Sequence, residues 1–253
     1  MKIRIQYVCS FNIPDSCAVI LISALFVLLQ VCNASALNNQ CVSCHETFRE
    51  VKEITHKPVI SGCLTCHVVS KELEHPQQKD SIRLKKDLPG LCYSCHPKGD
   101  FQNSNIHEPV LAGRCLSCHD PHHSEYEDLS VQSVPELCFE CHDKKKFTKK
   151  YEHTVSSKGC LRRCHAVHAS AFPDLLNATV LDICLTCHAS QASGRHVLSI
   201  LPGGKIHPVR GMTDPSNPTR EISCVSCHDP HSSDYANLAL SGRLCSRCHA
   251  SRY

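Results

Sequence analysis

Apolar side chains gather in one long run and nowhere else at that length. Residues 17–31 read CAVILISALFVLLQV. Beyond them the chain has few long periodic stretches, and no alternating pattern long enough for a useful strand. Punctuation takes the place of periodicity. Gly62, Gly113 and Gly159 recur at comparable places, and residues 211–219 (GMTDPSNPT) form a loop rich in Pro and polar residues. The pattern predicts mostly irregular coil with short α-helices and little or no β-sheet.

The apolar run has the setting of an export signal. Lys2 and Arg4 precede it, and Ala34-Ser35-Ala36 supplies a small-x-small cleavage site, so residues 1–36 are a predicted signal peptide and the mature chain starts at Leu37. The alternative is an uncleaved anchor, but a span needs roughly 20 residues. A lipid on Cys32 is a weaker option, because Val31 stands where a small residue is expected. Export sends the protein to the periplasm, the outer membrane or the extracellular space, with no transmembrane span after the signal is removed.

Composition then changes the picture. The chain has 253 residues and 21 cysteines, far above ordinary usage. Cys9, Cys17 and Cys32 lie near the start. The other eighteen form nine pairs, each followed at once by histidine: Cys41, Cys44 and His45; Cys63, Cys66 and His67; Cys92, Cys95 and His96; Cys115, Cys118 and His119; Cys138, Cys141 and His142; Cys160, Cys164 and His165; Cys184, Cys187 and His188; Cys224, Cys227 and His228; Cys245, Cys248 and His249. Eight have the spacing Cys-x-x-Cys-His; the sixth, CLRRCH, carries one more residue.

Disulfides would explain paired cysteines in an exported protein, but not the histidines. Zinc knuckles also use closely spaced cysteines, yet need no histidine at that position. A c-type haem needs all three groups: two thiols for thioether bonds to the porphyrin vinyls, and an adjacent imidazole for the iron. Nine covalently bound c-type haems are therefore expected, with the extra residue of motif six bulging outward.

Ten histidines remain: His56, His75, His107, His122, His123, His153, His168, His196, His207 and His231. Nine irons need nine distal ligands. His56, His75, His107, His122, His153, His168, His207 and His231 hold equivalent places in four repeats, and are expected to be eight of them. His122 is preferred to its neighbour His123 because it matches His231 in the string CHDPH. The ninth ligand is His123, His196 or a residue of another chain. His122 follows His119 too closely to reach its own iron's far face, so it should serve another haem of the same repeat or the next; His168 and His231 follow suit. Motif one brings no partner of its own. Either the repeat histidines pass to earlier irons and His196 fills a later vacancy, or the first iron is completed in trans. Two imidazoles close an iron and keep it low-spin, which favours electron transfer over catalysis.

The repeats set the organisation. A half repeat (37–50) precedes four paired-motif repeats, at about 51–100, 101–147, 148–192 and 193–253, in one domain from 37 to 253. The mature chain has about 24 residues per motif and no Trp. So little polypeptide makes a poor apolar core, and porphyrin faces can replace it. The fold expected is coil and short helices wrapped around a chain of stacked haems. The formal charge of +3 falls to +2 without the signal, and eighteen propionates would make the holoprotein acidic. This excludes the basic stripe a nucleic-acid partner would need.

The His-x-Pro before a first motif (His56 to Pro58, His107 to Pro109), the CHDPH strings (Cys118 to His122, Cys227 to His231) and the second motif of each pair resemble the doubled-CXXCH, or paired-motif, multihaem c-type cytochromes. The resemblance covers about residues 41 to 249. It implies bis-histidine haems in parallel and T-shaped pairs, and an electron-transfer relay in exported respiratory or extracellular electron transfer. It implies other redox proteins as partners (cytochromes, quinol-linked or outer-membrane conduit components) or self-association into a haem-lined filament. Three departures stand out: the spacing of motif six, the long gap before His75, and the missing partner of motif one. The competing function is a multihaem reductase of a small inorganic substrate, which needs one open iron. No CxxCK occurs, and the histidine supply leaves no obvious vacancy. No catalytic residue is therefore expected.

Overall fold

The computed structural model describes residues 41–48, 53–155, 160–192, 196 and 207–249. The predicted signal peptide, the Leu37 start and Gly159 lie outside them. Contacts divide the chain into two compact units, Met1–Lys86 with Pro121–Leu129, and Asp87–Asp120 with Ser130–Tyr253.

Most of the described backbone is coil, turns and single helical turns. The α-helices Lys57–Ser61 and Glu108–Leu111 each begin on the residue after a histidine with extended backbone. Proline stands in the first turn of both, where its missing N–H costs nothing. The His-x-Pro pattern thus places His56 and His107 at helix N-caps. Gly62 closes the first helix at φ 118°, a conformation that glycine adopts freely. Helices Glu136–Phe139 and Val180–Leu185 run into motifs five and seven.

The ten described strands differ from the expectation of little or no sheet only in detail. β1 (Ile54–Thr55), β2 (His67–Val69), β3 (Ile82–Leu84), β4 (Asn105–Ile106), β5 (His123–Ser124), β6 (Tyr151–Glu152), β7 (Ala169–Ser170), β8 (Thr213–Asp214), β9 (Asn217–Glu221) and β10 (Ser232–Ser233) make five antiparallel pairs. Most are two residues long, too short to leave an alternating pattern. The loop expected at 211–219 is a correction: it holds the β8–β9 hairpin.

Three of these pairs repeat one arrangement. β1 pairs with β5, β4 with β7 and β6 with β10. In each, the strand before a leading histidine meets the strand after a downstream His122-type residue. The N–H groups of His56, His107 and His153 donate to the carbonyls of His122, His168 and His231 at 2.9–3.0 Å. The chain is stapled from each repeat to the following one.

The core is not aliphatic. Among the described residues the buried apolar side chain is Ile222, while Ser81, Ser124, Ser170, Asp214, Ser226, Ser232 and Ser233 are buried. Ser124, Ser170 and Ser233 hold matching positions; each hydroxyl accepts the N–H two residues on, from Tyr126, Phe172 and Tyr235. Ser170 and Ser233 also donate to the carbonyls of Leu176 and Ala239. Replacing Ser170 with Ala should cost about 1–2 kcal/mol, since it leaves a carbonyl and an N–H short of a partner. A lowered thermal midpoint with unchanged haem content would bear this out, and an unchanged midpoint would contradict it.

Candidate haem sites

Each motif is built by its own backbone. In seven of the regular motifs the histidine N–H donates to the carbonyl of the first cysteine four residues back, at 2.9–3.0 Å. This single turn presents two thiols and an imidazole together. Motif six keeps the same bond, His165 N–H to Cys160 C=O at 3.0 Å, by forming a π-turn over Cys160–Cys164. The extra residue is taken up as the bulge, and the relation of Cys160 to His165 survives.

Imidazole rings from outside the motifs stand opposite the motif histidines. A metal–imidazole bond is about 2 Å and the ring centre lies about 1 Å farther, so two rings on one metal put centroids about 6 Å apart. The centroid separations are 5.9 Å for His45–His75, 6.3 Å for His67–His122, 6.2 Å for His107–His142, 5.9 Å for His119–His168, 6.3 Å for His153–His188, 6.1 Å for His165–His231, 6.1 Å for His196–His228 and 6.3 Å for His207–His249. The residues present therefore fit a metal held between two imidazoles. The leading histidines His107, His153 and His207 face the second motif of their own repeat. His122, His168 and His231 face the first motif of the repeat before, not the same or the next one as expected from sequence. The staples draw them backward. His75 faces motif one, and His196 faces motif eight. His123 packs on Phe48 at 5.9 Å.

The rings are also oriented. Nδ1 of His56, His153, His165, His207 and His228 lies 2.8–3.0 Å from a backbone carbonyl, of Pro121, Pro230, Asp174, Pro208 and Asn237 respectively. A carbonyl only accepts, so Nδ1 carries the proton and Nε2 keeps its lone pair for a metal. His75 Nδ1 pairs with Ser81 Oγ at 3.1 Å.

Residues that the sequence reading missed complete this setting. Asp128-Leu129, Asp174-Leu175 and Asn237-Leu238 are consecutive left-handed residues at φ 54–57°, costly for leucine. Behind motif six, Asp174 C=O takes the His165 ring proton, Leu175 C=O accepts from Ala166 N–H at 2.7 Å, and Asn177 N–H donates to Cys164 C=O at 2.9 Å. Asn237, Leu238 and Leu240 do the same around His228, Asp229 and Cys227. Phe48, Phe101 and Phe147 lie against His122, His168 and His231 at 4.9, 5.1 and 4.8 Å. The recurring string H-x-S-x-[YF]-x-[DN]-L was the available signal.

Electrostatics favours neutral ligands. Burial lowers His231, with Asp229 opposing. Burial and then His228 and His207 lower His196. Burial alone would raise Asp229, but the His231 N–H and the Lys149 ammonium outweigh it and hold it ionised.

Thiols of successive motifs are neighbours between motifs one and two and from motif four to motif nine, and these junctions alternate. Burial and then Cys41 raise Cys63; burial and then Cys160 raise Cys138; a mutual hydrogen bond raises Cys184 and lowers Cys224. These are first cysteines meeting first cysteines. Burial, with Cys141, Cys187 and Cys248 respectively adding to it, raises Cys118, Cys164 and Cys227, and these are second cysteines meeting second cysteines. The large aliphatic side chains of Ile60 and Leu111, at one repeat position, are 72% and 70% exposed, as suits contact with a porphyrin face.

Among the described residues no helix is long and apolar enough to cross a membrane. The chain is 29% identical over 110 residues to the multiheme cytochrome MtrA of Shewanella baltica (strain OS185), an alignment covering 34% of this chain and 33% of that protein; the chain thus matches about a third of that relative's length. The doubled CXXCH motif model matches four times, at residues 56–101, 107–147, 153–193 and 217–252. Those matches hold eight motifs for covalent c-type haem and take in more than half of the sequence, and the chain belongs to the doubled CXXCH motif family, multihaem cytochromes of electron transfer.

Proposed function

We propose that the chain is an electron-transfer relay of nine covalent c-type haems, each iron closed by two histidines, with no substrate chemistry of its own. What carries the reading is the set of eight imidazole pairs with centroids 5.9–6.3 Å apart. Motif histidines are the proximal ligands. His75, His122, His107, His168, His153, His231, His196 and His207 are the distal ligands for motifs one, two, five, four, seven, six, eight and nine. His56, in the leading place of repeat one, is also among the distal ligands of this proposal.

Bound haem supplies a one-electron iron couple. The residues do the rest. The carbonyl acceptors hold the rings in one tautomer, the left-handed turns behind motifs six and eight fix His165 and His228, and the paired imidazoles would hold the iron without leaving room for a substrate. Alternating cysteine junctions bring the attachment points of motifs one and two, and of motifs four to nine in turn, close together, as electron transfer between neighbouring haems needs. The half repeat 37–50, the four repeats to 253 and the signal 1–36 are part of this proposal. So are export to the periplasm or beyond, and partnership with other redox proteins or a second copy; the multiheme character of the Shewanella relative supports it.

Visible and EPR spectra of the purified protein test the reading. Low-spin iron throughout is expected. A high-spin fraction worth one haem or more would favour an open-iron reductase instead.

A further inference from the structure

Repeat four differs from the others ahead of its first motif. Sixteen residues separate His207 from Cys224, against six or seven between leading histidine and first motif in the earlier repeats. The added length forms the β8–β9 hairpin, and it carries Asp214, whose side chain is fully buried. The carboxylate accepts from Ser216 N–H at 2.8 Å, Ser216 Oγ at 2.6 Å, Ser226 Oγ at 2.6 Å and Arg220 Nε at 3.2 Å. Ser226 lies inside motif eight, between Cys224 and Cys227, and also accepts the Ser223 N–H at 3.1 Å.

Two features make this more than a peg for a hairpin. A neutral side chain would hold the turn without the cost of burying a charge. The acid is instead kept ionised: the Ser216 and Ser226 hydroxyls, the Ser216 N–H and Arg220 together hold it far below the usual carboxylate range. Its charge is also tied, through Ser226, to the motif itself.

We propose that Asp214 is a positioning residue for motif eight and its fixed negative charge, set there to lower the reduction potential of the haem on Cys224, Cys227 and His228. The proposal rests on the relay reading. Reduction adds an electron beside a charge that cannot move away and that little water screens. Arg220 offsets it only in part, because its side chain is 40% exposed and so partly screened. The result is a step in the potential profile at haem eight.

The test is a spectroelectrochemical titration of the haem-loaded protein with Asp214→Asn or Arg220→Gln, repeated on a His196→Met background to mark haem eight. Asp214→Asn should raise one midpoint of the nine, and Arg220→Gln should lower that same one. No movement in either variant, or movement of both in the same direction as general loosening would give, overturns the proposal. If Asp214→Asn fails to keep haem eight, Arg220→Gln decides alone: it leaves the buried acid and its serine donors in place, and a shift other than downward refutes the idea. High-spin iron in the unaltered protein would count against the relay reading, whereas unmoved low-spin midpoints count only against Asp214.

Discussion

Replacing His196 with Met is expected to change one haem and leave the other eight as they were. The His196 ring stands 6.1 Å from that of His228, the separation of two rings on one metal. Methionine opposite histidine raises a haem potential, here on the order of 0.1–0.3 V within the about 0.8 V that axial ligands span. A redox titration with EPR reads this as one midpoint displaced upward and one low-spin signal altered. Nine unchanged haems would remove His196 from the ligand set. The ninth ligand would then be His123 or a residue from a second molecule, and the backward shift of the repeat histidines would have no end point.

The double change Cys160→Ala with Cys164→Ala should leave a protein with one haem fewer. Intact mass should give nine haem additions on an unaltered chain beginning near Leu37, and eight on the variant. The π-turn is the reason to count motif six: it preserves the His165 N–H to Cys160 C=O bond despite the longer spacing. Cys160 also neighbours Cys138, and Cys164 neighbours Cys187, so a loss there breaks the row in its middle. Electron flow across the protein should fall sharply in the variant, while each remaining haem still reduces. Eight additions on the unaltered chain would mean that the bulged motif does not load.

Sequence alone carried the motifs, because attachment chemistry allows little freedom in spacing. It also separated His122 from His123, through the match of Asp-Pro-His to the string ending at His231. What it did not carry was direction. His122 is three residues from His119, and that distance excludes its own iron without choosing among the others. The choice is made by two-residue strands such as Ile54–Thr55 against His123–Ser124, too brief to leave a pattern. The left-handed pairs Asp128-Leu129, Asp174-Leu175 and Asn237-Leu238 were hidden for another reason. Leucine is a poor marker of positive φ, and behind motifs six and eight the cost is met by contacts to the motif that only the folded chain brings together. Phe48, Phe101 and Phe147 lie against His122, His168 and His231 across long sequence separations, which no local pattern marks.

The backward reach of each repeat has a consequence for how such chains grow. A unit that completes its predecessor and is completed by its successor cannot be cut out whole, nor simply appended. Adding a repeat at the C-terminal end would supply the iron of motif eight with a new histidine and leave the newcomer's own first motif open. The array therefore has a polarity and needs a terminator, as linear repeat proteins need capping units. His196, outside the repeat pattern, faces the motif that a following repeat's histidine would otherwise face, so on this assignment it does the work of a capping unit for motif eight.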